Sequence, residues 1–201
     1  MVGNASNSGN SGAMTGPSPA LLLISDSESE TVRIGKAIGI ALRTGDTVLL
    51  SGDLGAGKTR LVHGMADGIE SPIPARSPTF VIVNEYPGRV HLSHCDLYRL
   101  GSMEEVEGLA LEERLPTGAL VIEWPEVGAK VLPEDVLFLK LENGDHDDQR
   151  SIMFMPTGPR SAGLLSRSAA VYESLDAAVG LVHPSAPAAP ENSDSSGNEN
   201  N

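Results

Sequence analysis

Gly52-Asp53-Leu54-Gly55-Ala56-Gly57-Lys58-Thr59 decides how this chain is read, because it places Gly, four residues, Gly, Lys and Thr at the spacing of a phosphate-binding loop. Glycines at 52, 55 and 57 let the backbone turn tightly and aim several N–H groups at phosphate oxygens with no side chain in the way. Lys58 adds a mobile cation for the β- and γ-phosphates, and the Thr59 hydroxyl is the expected Mg²⁺ ligand. Eight residues can match by chance, so the flanks must agree. Before the loop, Thr47-Val48-Leu49-Leu50-Ser51 reads as a short buried strand. After it, Leu61, Val62, Met65, Ala66 and Ile69 recur at helical spacing, so the loop opens onto a helix N-terminus whose dipole favours an anion. Strand, loop and helix together describe a cradle sized for ATP or GTP.

Composition limits the rest. The chain has 201 residues, but residues 1 to 19 are mostly Gly, Ser, Asn and Pro, and Pro184 to Asn201 is Pro, Ala, Ser and Asn with a few acids. Neither end offers enough apolar surface to offset the entropy of ordering, so both are expected to be disordered tails. A nucleotide-binding domain is expected over residues 20–158, with a further helix at 159–183. One cysteine, Cys95, excludes an intramolecular disulfide and any multi-cysteine zinc site. No segment approaches the roughly 18 consecutive apolar residues that a membrane span needs, and the N-terminus has no basic start before an apolar run. A cytoplasmic location and no membrane partner are the expectation.

The formal charge is −13, and residues 21 to 158 hold 22 Asp and Glu against 12 Lys and Arg. Such a surface repels a nucleic-acid backbone, so any role in nucleic-acid chemistry is expected to pass through a partner protein.

Taken in order, Ala20 to Ser25 suggests a strand. Ser27 with Glu30 then forms a capping box for a helix carrying Val32, Ala37, Ile38, Ala41 and Leu42, stopped by Thr44-Gly45-Asp46. Beyond the loop helix comes Ser77-Pro78-Thr79-Phe80, and then two strands, Phe80 to Tyr86 and Val90 to Cys95, around the turn Pro87-Gly88-Arg89. Asp96 ends this hairpin, and Ser102 with Glu105 is a second capping box. Ala119-Leu120-Val121-Ile122 is a buried strand ending at Glu123-Trp124, and its acid is expected at an exposed terminus facing the ligand edge, where open α/β sheets bind. Val136 to Leu141 and Ser151 to Met155 make another hairpin across a polar turn. The fold class is therefore α/β, a phosphate-loop NTPase-like sheet with flanking helices and β-hairpins.

Four segments, GDLGAGKT at 52–59, SPTF at 77–80, HCDLYRL at 94–100 and IEWPE at 122–126, together resemble the TsaE family, small phosphate-loop ATPases of bacterial tRNA threonylcarbamoyladenosine (t6A) biosynthesis. The resemblance covers about residues 21 to 156. It implies a weak Mg²⁺-dependent ATPase, stimulated by and working with TsaB- and TsaD-like subunits, the latter transferring the threonylcarbamoyl group. It implies that the loop residues, Asp53, Leu54 and Ala56 included, cradle the nucleotide, with Lys58 on phosphate and Thr59 and Glu123 on Mg²⁺. Thr79 falls in a switch-like loop, Asp96 is the base or water-positioning acid, and Trp124 belongs to the same functional motif. Members of the family that the chain resembles often carry basic residues in the turn corresponding to Asp145 to Arg150, near the nucleotide. This chain has Asp145, Asp147 and Asp148 there, with Arg150 as the remaining cation.

Blander roles stand beside these. Asp96 has a second reading as a cap of the following helix, which the phosphate loop and the motif outweigh, Trp124 reads as a packing platform, His63 as a packing or solvated residue, and His91, His94 and Cys95 as a strand trio with too few ligands for zinc. A small-molecule kinase with Asp96 deprotonating an acceptor, and a non-hydrolysing docking module, are the competing functions. The kinase reading is weakened because only Arg114, Lys130 and Lys140 are basic between residues 100 and 149, where a cationic lid would be sought.

Overall fold

The computed structural model describes residues 20–76 and 82–182, with side chains to residue 177. The expected terminal tails and the whole SPTF segment at 77–80, Thr79 included, lie outside the described residues.

Seven strands form one sheet in the order β1-β7-β6-β2-β5-β4-β3. Its centre is parallel: β2 (Thr47–Ser51) lies between β6 (Leu137–Asn143) and β5 (Gly118–Glu123), with β4 (His91–Asp96) beyond β5. The margins are antiparallel, with β3 (Val83–Tyr86) on β4, and β7 (Arg150–Pro156) followed by β1 (Leu21–Ser25) outside β6. β2 reads as an unbroken apolar run because both of its faces are covered. Val48 and Leu50 join the core beneath α1 (Glu28–Ala41) and α2 (Lys58–Gly68), while Leu49 faces the core beneath the short helix α3 (Met103–Glu107).

Both capping boxes form. The Glu30 N–H donates to Ser27 Oγ at 3.2 Å and the Glu105 N–H to Ser102 Oγ at 3.3 Å. Each glutamate reaches one residue further back than the cap, to the N–H of Asp26 at 2.9 Å and of Gly101 at 2.7 Å. The buried face of α1 differs from the expected stripe, because Ile34, Gly35 and Gly39 belong to it whereas Val32 is half-buried. The glycines have a partner stripe on α2. A Cβ on Gly35 would lie 2.1 Å from Leu61 O, one on Gly39 2.3 Å from Met65 O, one on Gly64 2.0 Å from Val32 O, and one on Gly68 2.3 Å from Lys36 O. The two helices therefore touch backbone to backbone, which fixes the helix that carries the phosphate loop. Gly64→Ala is expected to cost about 2 kcal/mol or more of folding stability, overpacking outweighing roughly 1 kcal/mol of gained helix propensity. Urea unfolding measures it, and an unchanged midpoint would mean that the helices part freely.

The long helix α4 (Pro159–Val182) occupies the segment expected to be helical and lies on α1, with Leu164 in the same core as Ile34 and Phe154. Arg167 binds Ala41 O at 3.1 Å and Asp46 Oδ2 at 2.9 Å. The packed unit thus runs on past residue 158.

Candidate functional site

The carboxyl ends of β2, β5 and β4 meet at one edge of the sheet, where an open α/β fold presents a crevice. β2 delivers the loop. Gly52 has φ 145°, and a Cβ there would lie 2.3 Å from Leu141 O. Gly57, at φ 99°, is the residue before α2 and puts no capping side chain over the helix start, so the first N–H groups of α2 remain available to an anion. Lys58 is buried, and its Nζ donates to Gly52 O at 2.6 Å and to Asp53 O at 2.9 Å. Burial pushes this ammonium below the usual lysine range, against the attraction of Glu123 and Asp96.

β5 and β4 deliver the acids. Asp96 and Glu123 are direct partners in the parallel register, so both carboxylates reach the same edge. Glu123, expected at an exposed strand terminus, is instead 3% exposed. It is buried because the start of α2 closes over the end of β5: Thr59 Oγ1 donates to Glu123 Oε1 at 3.3 Å. The same oxygen lies 2.9 Å from His94 Nε2. Asp96 is half-buried and accepts the Tyr98 N–H at 3.0 Å, which makes a turn rather than the helix cap that Ser102 supplies to α3. Burial pushes its carboxyl above the ordinary range; the Tyr98 N–H opposes this and the charge of Glu123 adds to it.

Trp124 follows β5 at φ 58°, a left-handed backbone that a bulky residue rarely adopts. Its ring lies 4.0 Å from Lys58 Nζ and its centroid 5.0 Å from that of Tyr98. These groups line a cavity of about 280 Å³ with Leu54, Gly55, Gly57, Lys58, Thr59, Arg60, Asp96, Tyr98 and Glu123. A second recess of about 120 Å³, lined by Glu28, Thr31, Asp148 and Arg150, shares Gly55, Gly57 and Arg60 with it. Arg150 is turned inward on its own hairpin, donating to Asp147 O at 2.6 Å and Gln149 O at 2.7 Å, and it also reaches Gly55 O at 3.4 Å.

Residues 25–152 match the family model described as threonylcarbamoyl adenosine biosynthesis protein TsaE. The chain belongs to the TsaE family. Proteins named tRNA threonylcarbamoyladenosine biosynthesis protein TsaE are similar to it in Nostoc sp., at 46% identity over 52% of this chain and 67% of that protein, and in Streptomyces coelicolor, at 40% over 58% and 82%. The crystal structure of Bacillus subtilis YdiB superposes with a TM-score of 0.63 at 29% identity, covering 75% of this chain and 94% of that one. The family match takes in the loop, Asp96, Glu123, Trp124 and Arg150, and α4 lies beyond it.

The fold thus brings together Gly52, Gly55, Gly57, Lys58, Thr59, Asp96, Glu123 and Trp124, with Asp53, Leu54 and Ala56 in the loop between. Two contributors were not singled out from sequence as TsaE site residues, Tyr98 and His94. The strand trio His91, His94 and Cys95 does not converge on one point. His91 is at the surface on Glu85 at 2.7 Å, while Cys95 is buried on the sheet face opposite to that of His94, its thiol pushed up to about 12, mainly by burial. His63, on α2, is half-buried, and burial pushes its imidazole below the usual range. Among the described residues no cluster of three or more His, Cys, Asp or Glu could hold a metal, and no helix is long and apolar enough to cross a membrane.

Proposed function

We propose that this chain acts in t6A biosynthesis as a Mg²⁺-dependent ATPase that drives the cycle of a partner complex of the TsaB and TsaD type. The pathway follows from membership of the TsaE family. The ATPase reading is carried by one observation: Lys58, Thr59, Asp96 and Glu123, from three different elements, line a single cavity at the N-terminus of α2.

The residues present fit a magnesium ion. A threonine hydroxyl and a buried carboxylate form a hard, all-oxygen pair 3.3 Å apart, and Mg²⁺ at nucleotide sites commonly takes one or two protein ligands with phosphates and waters completing its shell. Bound there, the ion would offset charge developing on the phosphates. The chain's own groups supply the rest. The loop N–H groups and the α2 N-terminus hold the phosphates, Lys58 exchanges its carbonyl partners Gly52 and Asp53 for phosphate oxygens, and Asp96 orients or deprotonates the attacking water. The absence of any Asn-Lys-X-Asp guanine-reading motif is in keeping with ATP as the nucleotide.

Lys58→Ala is expected to weaken nucleotide binding roughly ten- to a hundredfold, since each hydrogen bond to a charged group contributes about 1.5–3 kcal/mol. Trp124, the chain's single tryptophan, lies beside Lys58, so its fluorescence on titration with ATP reports the loss directly. Unchanged affinity would remove the phosphate-loop assignment.

A further inference from the structure

The oxygen that Glu123 turns toward Thr59 is held from behind. His94 is 0% exposed, and its Nε2 lies 2.9 Å from Glu123 Oε1. Its other ring nitrogen, Nδ1, is buried with no partner among the described residues. A carboxylate only accepts, so Nε2 carries the proton in this contact. The bare Nδ1 then needs no acceptor, whereas a buried N–H there would be left unsatisfied at a cost. The imidazole therefore commits its one hydrogen bond to Glu123. Register makes this possible: Asp96 is opposite Glu123 in the β4–β5 ladder, and His94, two residues earlier, shares its sheet face. Tyr86, with its ring centroid 6.2 Å away and the planes inclined by 28°, packs beside the imidazole.

We propose that His94 is a positioning residue for the metal site, fixing the Glu123 carboxylate so that it and Thr59 present paired oxygens to the divalent cation of the bound nucleotide. This rests on the reading of Thr59 and Glu123 as the metal pair. Without the imidazole, Glu123 keeps only the longer bond from Thr59, and its carboxylate is free to turn away from the hydroxyl. Partners that orient metal ligands typically alter metal affinity by about 10- to 100-fold when removed. Nucleotide binding in the absence of metal runs through the loop and Lys58, which His94 does not touch, so it should be unaffected.

The test titrates Mn²⁺, as a paramagnetic substitute, into the full chain saturated with ADP, reading free Mn²⁺ by electron paramagnetic resonance. His94→Ala should weaken Mn²⁺ binding about 10- to 100-fold while changing metal-free ADP affinity by less than about twofold. His94→Gln, whose amide N–H reaches about as far as Nε2, should recover most of the loss. Mn²⁺ affinity within about twofold of the parent in His94→Ala would reduce His94 to packing, and an equal loss in both variants would assign the effect to repacking rather than to the donor. Glu123→Ala is the control for the underlying reading. If it leaves Mn²⁺ affinity unchanged, the metal role of Glu123 falls and the role of His94 falls with it; if it abolishes binding while His94→Ala does not, the positioning role alone is overturned.

Discussion

Asp96→Asn should bind ATP about as the parent does and hydrolyse it roughly 10² to 10⁴ times more slowly, the range that a positioned proton acceptor contributes. The substitution conserves shape. Its amide oxygen can still accept the Tyr98 N–H that Asp96 accepts at 3.0 Å, so the turn after β4 should survive. What goes is the negative charge. An asparagine neither takes a proton from water nor holds it as firmly, and the loss falls on hydrolysis because Asp96 lies across the cavity from the loop rather than in it. The pH profile gives a second signature. Burial raises the Asp96 pKa, so its ionised, working form is depleted as pH falls through that raised value. Hydrolysis should therefore decline on the acid side at a higher pH than the ordinary aspartate value of about 4 would give. Single-turnover assays across pH check both points, and near-parental rates in the variant would return Asp96 to a purely structural turn residue.

Legibility of the site in the sequence follows sequence distance. The loop could be read because strand, glycines, lysine and helix are contiguous and each carries its own local signal. The two capping boxes and both hairpins are short-range for the same reason. The pairing of β1 with β7 sets Leu21 against Phe154, and no local pattern encodes a contact so distant in the chain. The glycines of α1 and α2 carry no local signal of their role, since their meaning appears only when Gly35 and Gly64 are known to face one another. The role of His94 was hidden in the same way. As one of three residues on a strand it suggested, at most, an incomplete zinc site, and only the register that puts Asp96 opposite Glu123 turns it toward the carboxylate. Glu123 was assigned to the right edge but to the wrong environment, because a strand end looks open until the helix that follows another strand is laid across it.

Alone, this chain should hydrolyse ATP slowly, and a complex resembling TsaB with TsaD should accelerate it. In phosphoryl transfer a cation supplied by a partner contributes roughly 10³ to 10⁵ in rate, because charge builds on the transferred phosphate and must be offset. The chain's own cations around the cavity are largely committed. Lys58 is needed for binding, and Arg60 pairs with Glu28 at 3.0 Å. Arg89 lies away from the cavity, spent on the last carbonyls of α1 by donating to Gly39 O at 2.9 Å and Ile40 O at 2.7 Å, and Arg150 is turned onto its own hairpin. The mouth of the cavity is correspondingly open, with Leu54 81% and Tyr98 59% exposed at its rim, apolar surface of the kind that a docking partner covers. Closure over that rim would also exclude water, which strengthens every charge interaction inside. Steady-state phosphate release with and without purified partners measures the effect. Fast hydrolysis by the isolated chain, unchanged by partners, would instead favour a free-standing ATPase or kinase and detach the rim from catalysis.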